Sequence, residues 1–187
     1  MSFPGIPSLD AAVMAFIQTH FHNTVTDTVF PIITSLGEAG IGWIVLSLVL
    51  LCFKKTRRTG GLVLIAMTVT LLFGELTLKN IICRLRPCNV FTDFPMLIAR
   101  PTSYSFPSGH TSSSFAAALI LTLRHKKVGW LAYIPAVLIA FSRIFLFVHS
   151  PTDVLAGILL GTLAALLTYF AAKAIQKRQA EKRTAQI

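Results

Sequence analysis

Long apolar stretches alternate with short polar segments along the chain, and their lengths approach those of membrane-spanning helices. A helix needs roughly 20 apolar residues to cross the ~30 Å hydrocarbon core of a bilayer. Four stretches come near that length, and they are residues 61–82, 108–123, 128–148 and 154–172. A fifth, 40–53, is short for a span, and the residues from Ile32 onward extend it if Gly37 and Gly40 permit a bend. The pattern predicts an all-α, integral membrane helix bundle of about five transmembrane helices.

The segment before these stretches has the pattern of an amphipathic helix. Over residues 8–21, Ser8 stands where an N-cap is expected, and one face carries Leu9, Val13, Phe16 and Ile17. Such a helix is predicted to lie in the membrane interface. No internal repeat or low-complexity linker interrupts the chain, so we expect a single membrane-embedded domain over residues 1–187. Its predicted parts are interfacial helices in 1–39, a transmembrane core in 40–173 and a basic cytoplasmic tail in 174–187.

The composition excludes a water-soluble domain of this size. Hydrophobic residues make up 54% of the chain, charged residues 13%, and the mean hydropathy is +0.71. Residues 1–5 lack basic side chains and the first apolar stretch contains Asp10, Gln18 and His20, so a cleavable signal is not expected. The three cysteines are not paired at metal-ligand spacing, so we expect neither a structural zinc site nor a cofactor.

The formal net charge of +10 has an uneven distribution that predicts the topology. Twelve of the 17 basic residues lie in three segments that alternate with the predicted spans: Lys54, Lys55, Arg57 and Arg58; Arg124, Lys126 and Lys127; and Lys173, Lys177, Arg178, Lys182 and Arg183. The positive-inside rule places these segments in the cytoplasm and the N-terminus outside. The basic tail then reads as an anchor at the lipid surface and not as a nucleic-acid site. We therefore expect a multi-pass protein of the plasma or inner membrane whose partner is the lipid bilayer.

Five basic residues remain on the opposite side, where the rule predicts few: Lys79, Arg84, Arg86, Arg100 and Arg143. Cations that are kept where topology disfavours them are usually functional. We expect these five to converge on one anion.

Three local patterns fall on this same side of the predicted bundle. They are Lys79 with Arg86-Pro87 after a gap of six residues; Pro107-Ser108-Gly109-His110; and Ser142-Arg143, five residues, His149, three residues and Asp153. In this order the patterns resemble the three motifs of the type 2 phosphatidic acid phosphatase superfamily, which also includes bacterial lipid phosphatases and vanadium haloperoxidases. The resemblance covers residues 79–153, whereas residues 1–60 agree only in general character.

The cations of these motifs suit the charge of a phosphoryl group in transfer. Negative charge spreads over the equatorial oxygens, and fixed cations stabilise it. Arg86 and Arg143 offer bidentate geometry and Lys79 a point contact, so the three are predicted to bind the phosphate. The alternative interpretation is that they anchor lipid headgroups.

The second motif is expected at the start of a helix, where free backbone N–H groups and the helix dipole favour an anion. Ser108 and Gly109 are therefore predicted to bind phosphate, since Gly109 permits close approach to the backbone. A Pro-initiated helix with a Ser cap is the alternative, and it leaves His110 unexplained. The resemblance implies that His110 is the general acid that protonates the leaving oxygen.

His149 is the predicted nucleophile, because a neutral imidazole can attack phosphorus and form a phosphohistidine. Asp153 is predicted to fix its tautomer. Ser150-Pro151-Thr152-Asp153 also has the pattern of a capping box, and the two roles are compatible.

Glu75, one turn before Lys79, is expected to pair with Lys79 or to face the polar cavity. Cys83 and Cys88 flank the first motif, and both a disulfide and two free thiols stay open.

These features predict a metal-independent membrane phosphatase that acts on a lipid phosphate or diphosphate. A site reached from the outer leaflet suits an amphiphile whose chains stay in the bilayer. We expect undecaprenyl diphosphate, with phosphatidylglycerol phosphate or phosphatidic acid as alternatives. A vanadium haloperoxidase is disfavoured because the known members are soluble. An inactive lipid-phosphate binding or transport protein is disfavoured because His149, His110 and Arg143 are all present.

Overall fold

The computed structural model describes residues 3 and 5–184, and throughout these residues the only regular secondary structure is helical. Residues 1, 2, 4 and 185–187, which include the ends of the predicted interfacial segment and basic tail, lie outside the described residues. The helices are α1 (Ser8–His20), α2 (Thr24–Leu36), α3 (Ile41–Cys52), α4 (Arg57–Thr70), α5 (Lys79–Ile82), α6 (Pro87–Val90), α7 (Gly109–Arg124), α8 (Tyr133–Phe145) and α9 (Pro151–Thr184). A π-helical segment, Leu71–Leu78, joins α4 to α5, and 3-10 turns occupy Glu38–Gly40 and Gly129–Ala132. The all-α prediction is confirmed.

Helix α7 lies at the centre and packs against α4, α8 and α9. Three consecutive small residues of α7, Ala116, Ala117 and Ala118, are fully buried. On the facing side of α9, a Cβ at Gly157 would lie 2.7 Å from the Ser108 carbonyl oxygen. The absence of that Cβ lets α9 approach α7 closely, as in membrane helix pairs with small residues at the contact.

Two helical stretches are long and apolar enough to cross a membrane, Arg57–Val90 and Pro151–Thr184. The pair Thr24–Leu36 and Glu38–Cys52, bent by 44°, forms a third candidate span, and the break falls at the predicted glycines. Gly40 has φ +71° and Ala39 φ +48°, so the chain turns sharply there. The count of about five spans stays a prediction, because length and composition of the described helices support two or three.

Helix α1 forms where an amphipathic helix was predicted, and it packs a mixed polar and apolar face against the bundle. Its buried residues are Asp10, Met14, Ile17 and Gln18. Leu9 and Phe16, which belong to the predicted apolar face, are 72% and 56% exposed. The Gln18 amide donates to the Phe145 carbonyl oxygen at 3.0 Å. Polar anchors therefore set the rotation of α1, and Ser8 makes no side-chain cap.

The two ends of the bundle are chemically different. At one end the Thr59 hydroxyl lies 3.1 Å from Nε2 of His125, which joins the start of α4 to the end of α7. The basic loops 54–58 and 124–127 therefore lie at the same end. At the other end, the Ser108 N–H donates to the Asp153 carbonyl oxygen at 3.0 Å, so α7 and α9 begin side by side. The motif residues collect at this second end.

Candidate active site

A cavity of about 1120 Å³ lies at the end of the bundle where α7 and α9 begin. One part of its wall is polar and contains six of the predicted site residues, namely Lys79, Arg86, Gly109, His110, Arg143 and His149. Another part is apolar and is formed by side chains of α3, α4 and the π-helical segment, namely Ile44, Leu64, Met67 and Leu71. The structure thus joins a polar wall rich in cations to an apolar groove in one cavity.

Arg86 is buried and held from several directions beside His149. Its Nε donates to the Ser103 carbonyl oxygen at 2.8 Å, and its Nη2 to the Ser103 hydroxyl at 3.0 Å. Nη1 donates to the Val148 carbonyl oxygen at 3.0 Å and to Nε2 of His149 at 2.8 Å. A guanidinium can only donate hydrogen bonds, so Nε2 of His149 is the acceptor, and this nitrogen is unprotonated with its lone pair directed at Arg86.

His149 lies between α8 and α9 and is almost completely buried. Since Nε2 accepts from Arg86, the hydrogen-bond network assigns the ring proton to Nδ1. Nδ1 lies 3.3 Å from the Ser105 hydroxyl and 3.6 Å from Oδ2 of Asp153. Burial, and then repulsion from Arg86, Arg143 and Lys79, holds the pKa of His149 well below its ordinary value of 6.5. The imidazole is therefore neutral at neutral pH, as a nucleophile requires.

Asp153 is fully buried behind His149, at the start of α9. Its Oδ2 accepts from the Ser105 hydroxyl and from the Ser150 N–H, the latter at 2.8 Å. Its Oδ1 accepts from Nη1 of Arg84 at 2.8 Å. The bond to Ser150 is the carboxylate half of the predicted capping box, and it fixes where the carboxylate points. Ser105 contacts both Asp153 and His149.

Lys79 and Glu75 form an ion pair at the cavity wall. The Lys79 ammonium donates to both oxygens of Glu75 at 2.7 Å, which confirms the predicted pairing. Glu75 belongs to the π-helical segment, a type of distortion that is frequent at functional sites. A Cβ on Gly109 would collide with the Glu75 carboxylate. Gly109 therefore lets this pair lie against the first turn of α7.

Arg143 and His110 complete the polar wall. Arg143 is buried on α8, and its Nη1 donates to the Thr34 hydroxyl. Within residues 3 and 5–184, the buried Nε of Arg143 has no hydrogen-bond partner. Nε2 of His110, in the first turn of α7, lies 3.4 Å from Oε2 of Glu38 without the alignment of a hydrogen bond. Arg143 thus keeps a donor for an anion.

Ser108 holds a different position from the rest of its motif. It is the residue before α7 and is fully buried, whereas Gly109 and His110 line the cavity. Its hydroxyl accepts from the Thr111 hydroxyl at 3.0 Å. Ser108 therefore fixes the start of α7 from behind the cavity wall.

Two of the five cations at this end of the bundle serve other partners, which corrects the expectation that all five converge on one anion. Arg84 donates to Asp153 and, through Nη2, to Asp10 at 2.9 Å. Arg100 lines the cavity, but its guanidinium donates to three backbone carbonyl oxygens of the loop, those of Cys88, Thr92 and Phe94.

Cys83 is exposed and Cys88 buried, and both are free thiols in the structure.

Sequence reasoning missed four residues that contact predicted site residues, namely Thr34, Glu38, Ser103 and Ser105, and it missed Asp10, which pairs with Arg84 beside Asp153. Asp10 was visible as a carboxylate inside the first apolar stretch, a costly position unless it is paired. Thr34, Glu38 and Ser105 belong to no motif, and no periodic signal marks them. Their roles follow only from the packing of α2 and of the loop before α7.

The fold and the site fit one superfamily of membrane proteins. The family model described as the PAP2 superfamily matches residues 59–177, and the chain belongs to that superfamily. This match spans the Lys79, His110 and His149 motifs and the helices that position them. The family assignment predicted from these motifs is confirmed.

Three similar proteins, two named as phosphatases and one as a transport permease, illustrate the match. The chain is 39% identical over 127 residues to an undecaprenyl-diphosphatase of Sulfolobus acidocaldarius, covering 67% of this chain and 61% of that protein. It is 32% identical over 145 residues to the bacitracin transport permease protein BcrC of Bacillus licheniformis, covering 76% of this chain and 71% of that protein. Among solved structures, a transmembrane PAP2-type phosphatidylglycerolphosphate phosphatase from Bacillus subtilis superimposes with a TM-score of 0.72 at 30% identity. That superposition covers 90% of this chain and 86% of the other.

Proposed function

We propose that this protein hydrolyses a lipid phosphomonoester or diphosphate through a phosphohistidine intermediate, with undecaprenyl diphosphate as its substrate. The observation that carries the proposal is the orientation of His149. Its unprotonated Nε2 lies 2.8 Å from the Arg86 guanidinium, and its Nδ1 faces Ser105 and Asp153. An acceptor nitrogen beside a buried cation is suited to attack a phosphorus atom whose oxygens that cation binds.

The proposed reaction has two displacements. Nε2 of His149 attacks the terminal phosphorus, whose oxygens are held by Lys79, Arg86 and Arg143. His110 donates a proton to the leaving oxygen as the P–O bond breaks and the electron pair goes to that oxygen. Water then attacks the phosphohistidine and His110 takes a proton from it, so that inorganic phosphate leaves and the starting protonation state returns. Asp153 and Ser105 hold Nδ1 throughout and stabilise the charge on the ring.

The apolar part of the cavity supports a lipid substrate. Ile44, Leu64, Met67 and Leu71 continue the space that begins at the cations, and α3 and α4 carry exposed apolar side chains such as Val45 and Ile65 beside it. A headgroup in the polar part would leave its chain in the groove and in the surrounding bilayer. The undecaprenyl-diphosphatase named among the relatives supports a polyprenyl chain.

The proposed membrane arrangement has about five spans, with the site on the extracytoplasmic side of the plasma or inner membrane. Helix α7 has 16 residues, or about 24 Å at 1.5 Å per residue, and it packs against α9, which has 34 residues. The basic loops at the opposite end of the bundle support this orientation through the positive-inside rule. The proposed domain organisation is that of the sequence prediction, with α1 in the interfacial segment 1–39, a core over 40–173 and a basic tail over 174–187.

Two alternatives have specific support. The solved phosphatidylglycerolphosphate phosphatase supports a phosphatidylglycerol phosphate substrate. The relative named as a transport permease supports a role in lipid-phosphate binding or transport without turnover. The presence of His110, Arg143 and His149 in one cavity favours turnover.

One assay separates these functions. Purified protein in detergent, with EDTA present, is given undecaprenyl diphosphate, phosphatidylglycerol phosphate and phosphatidic acid, and released inorganic phosphate is measured. We expect the highest kcat/KM for undecaprenyl diphosphate and no release by His149→Ala. Preference for phosphatidylglycerol phosphate would contradict the proposed substrate. Binding of all three lipids without phosphate release would contradict the proposed phosphatase activity.

A further inference from the structure

Glu38 lies against His110 at the mouth of the cavity. Its Oε2 is 3.4 Å from Nε2 of His110, and its side chain is 69% exposed. Glu38 belongs to the 3-10 turn between α2 and α3, outside the three motifs and outside the residues matched by the family model. It is therefore a contact of the proposed general acid that the motifs do not contain.

The backbone around Glu38 is fitted closely to its surroundings. A Cβ on Gly37 would lie 2.9 Å from Cδ2 of His110 and 2.8 Å from Cγ2 of Ile139. Ala39 and Gly40 both have positive φ, +48° and +71°, a conformation that is costly for alanine. The turn thus passes directly beside the His110 ring, and two left-handed residues bend the chain immediately after Glu38.

The charges in the cavity give Glu38 a distinct role. Lys79, Arg86 and Arg143 share the cavity with His110, so a protonated His110 faces three cations. Two carboxylates line the same wall, those of Glu38 and Glu75. Both oxygens of Glu75 accept from Lys79, whereas Glu38 has His110 as its ion-pair partner among the described residues. Glu38 is therefore the anion available to a His110 imidazolium.

We propose that Glu38 is the positioning residue that keeps the proton-donating form of His110 in place, an inference that rests on the proposed function. With Nε2–H held towards Glu38, Nδ1 is the nitrogen that gives its proton to the leaving oxygen. In the second displacement Nδ1 takes a proton from the attacking water. Glu38 stays ionised throughout, and its charge offsets that of the three cations while His110 is protonated.

The test uses the dependence of the rate on the leaving group. A poor leaving group such as an alkoxide needs a proton, whereas a nitrophenolate leaves without one. Glu38→Gln keeps the size of the side chain and removes its charge, and Glu38 is exposed enough for the variant to fold. On phosphatidic acid we expect kcat to fall on the order of tenfold, as for one lost charge-assisted contact, and on an alkyl-chain nitrophenyl phosphate to stay within about twofold.

The controls separate this inference from the function on which it rests. Glu181→Gln removes an exposed carboxylate of α9 that pairs with Lys177, and it should leave both rates unchanged. His110→Ala should show the same leaving-group dependence as Glu38→Gln, but larger. If His110→Ala shows the dependence and Glu38→Gln does not, or if Glu38→Gln slows both substrates equally, the role of Glu38 is wrong and the mechanism stands. If His110→Ala slows both substrates equally, the assignment of the general acid is itself wrong.

Discussion

Asp10 on α1 accepts a hydrogen bond from Nη2 of Arg84 at 2.9 Å, although 74 positions separate the two residues in the chain. Asp10 also accepts from the Thr152 N–H at 3.0 Å and from its hydroxyl at 2.6 Å. The other end of the same guanidinium donates to Asp153. Helix α1 is thereby connected through Arg84 to the carboxylate that faces His149.

Replacing Asp10 is predicted to weaken both the fold and the site. Asp10→Ala leaves Arg84 and Thr152 without their buried acceptor, and the expected loss of stability is about 2 kcal/mol, below the usual range for a broken buried pair because Arg84 is partly exposed. We expect a lower melting temperature in detergent and a reduced kcat. Asp27→Ala, which breaks a more exposed pair with His22 on α2, should cost less than about 1 kcal/mol. Equal effects of the two substitutions would contradict the connection.

Gly109→Ala tests the close approach of Glu75 to the start of α7. The new Cβ would collide with the Glu75 carboxylate, so the Glu75–Lys79 pair must move away from the anion site. We expect KM for the lipid phosphate to rise on the order of tenfold, since Lys79 loses its position. A Cβ at Gly61 meets nothing within 4 Å, so Gly61→Ala should leave KM unchanged. An unchanged KM in Gly109→Ala would show that this approach is not needed for binding.

The site residues could be predicted from the sequence where they belong to short motifs. Lys79, Arg86, His110, Arg143 and His149 were found because each belongs to a short spacing, and all five line one cavity. The same reasoning assigned Arg84 to the substrate, because a linear pattern shows that a cation is out of place without showing which anion it meets. Asp10 on α1 and Asp153 on α9 are the anions that Arg84 meets.

The positions of the helices could be predicted from their apolar stretches, whereas the rotation of a helix could not be predicted where polar contacts determine its packing. The bend before α3 was visible in Gly37 and Gly40. The rotation of α1 was not, since Gln18 and Asp10 find their partners on α8, α9 and the loop that carries Arg84. No sequence pattern marks Glu38, because its proposed role depends on its contact with the His110 ring, which only the folded structure creates.

The pKa of His149 predicts a pH dependence of stability. Burial and the nearby Arg86, Arg143 and Lys79 lower the pKa of His149 in the folded state. Below pH 6.5, His149 therefore binds a proton in the unfolded chain but stays unprotonated in the folded protein. This contribution to stability is complete above pH 6.5 and is lost as the pH falls towards the folded-state pKa. At pH 5.5 we expect a loss of about 1 kcal/mol.

Thermal unfolding in detergent checks this sign. Between pH 7.5 and 5.5 the melting temperature of the wild type should fall further than that of His149→Gln, which cannot titrate. His20→Gln removes an exposed histidine of α1 and should behave like the wild type. The same slope in wild type and His149→Gln would mean that His149 is not held neutral by its surroundings.

The proposed orientation is tested by labelling single introduced cysteines in intact cells. In a background without Cys52, Cys83 and Cys88, Asp93→Cys lies in the exposed loop near the site, and Lys55→Cys lies in a basic loop at the opposite end. A membrane-impermeant thiol reagent should label position 93 alone, because the positive-inside rule places position 55 in the cytoplasm. Labelling of position 55 alone would reverse the topology.

The central claim is that His149 carries the phosphoryl group, and trapping that group tests it most directly. Substrate labelled with ³²P in its terminal phosphate is mixed with purified protein and quenched in base within milliseconds, and the protein-bound label is mapped by peptide sequencing. We predict an acid-labile, base-stable phosphoprotein with the label on His149, absent from folded His149→Ala, which should also release no phosphate. Label on another residue, or near-wild-type turnover by folded His149→Ala, would contradict the mechanism.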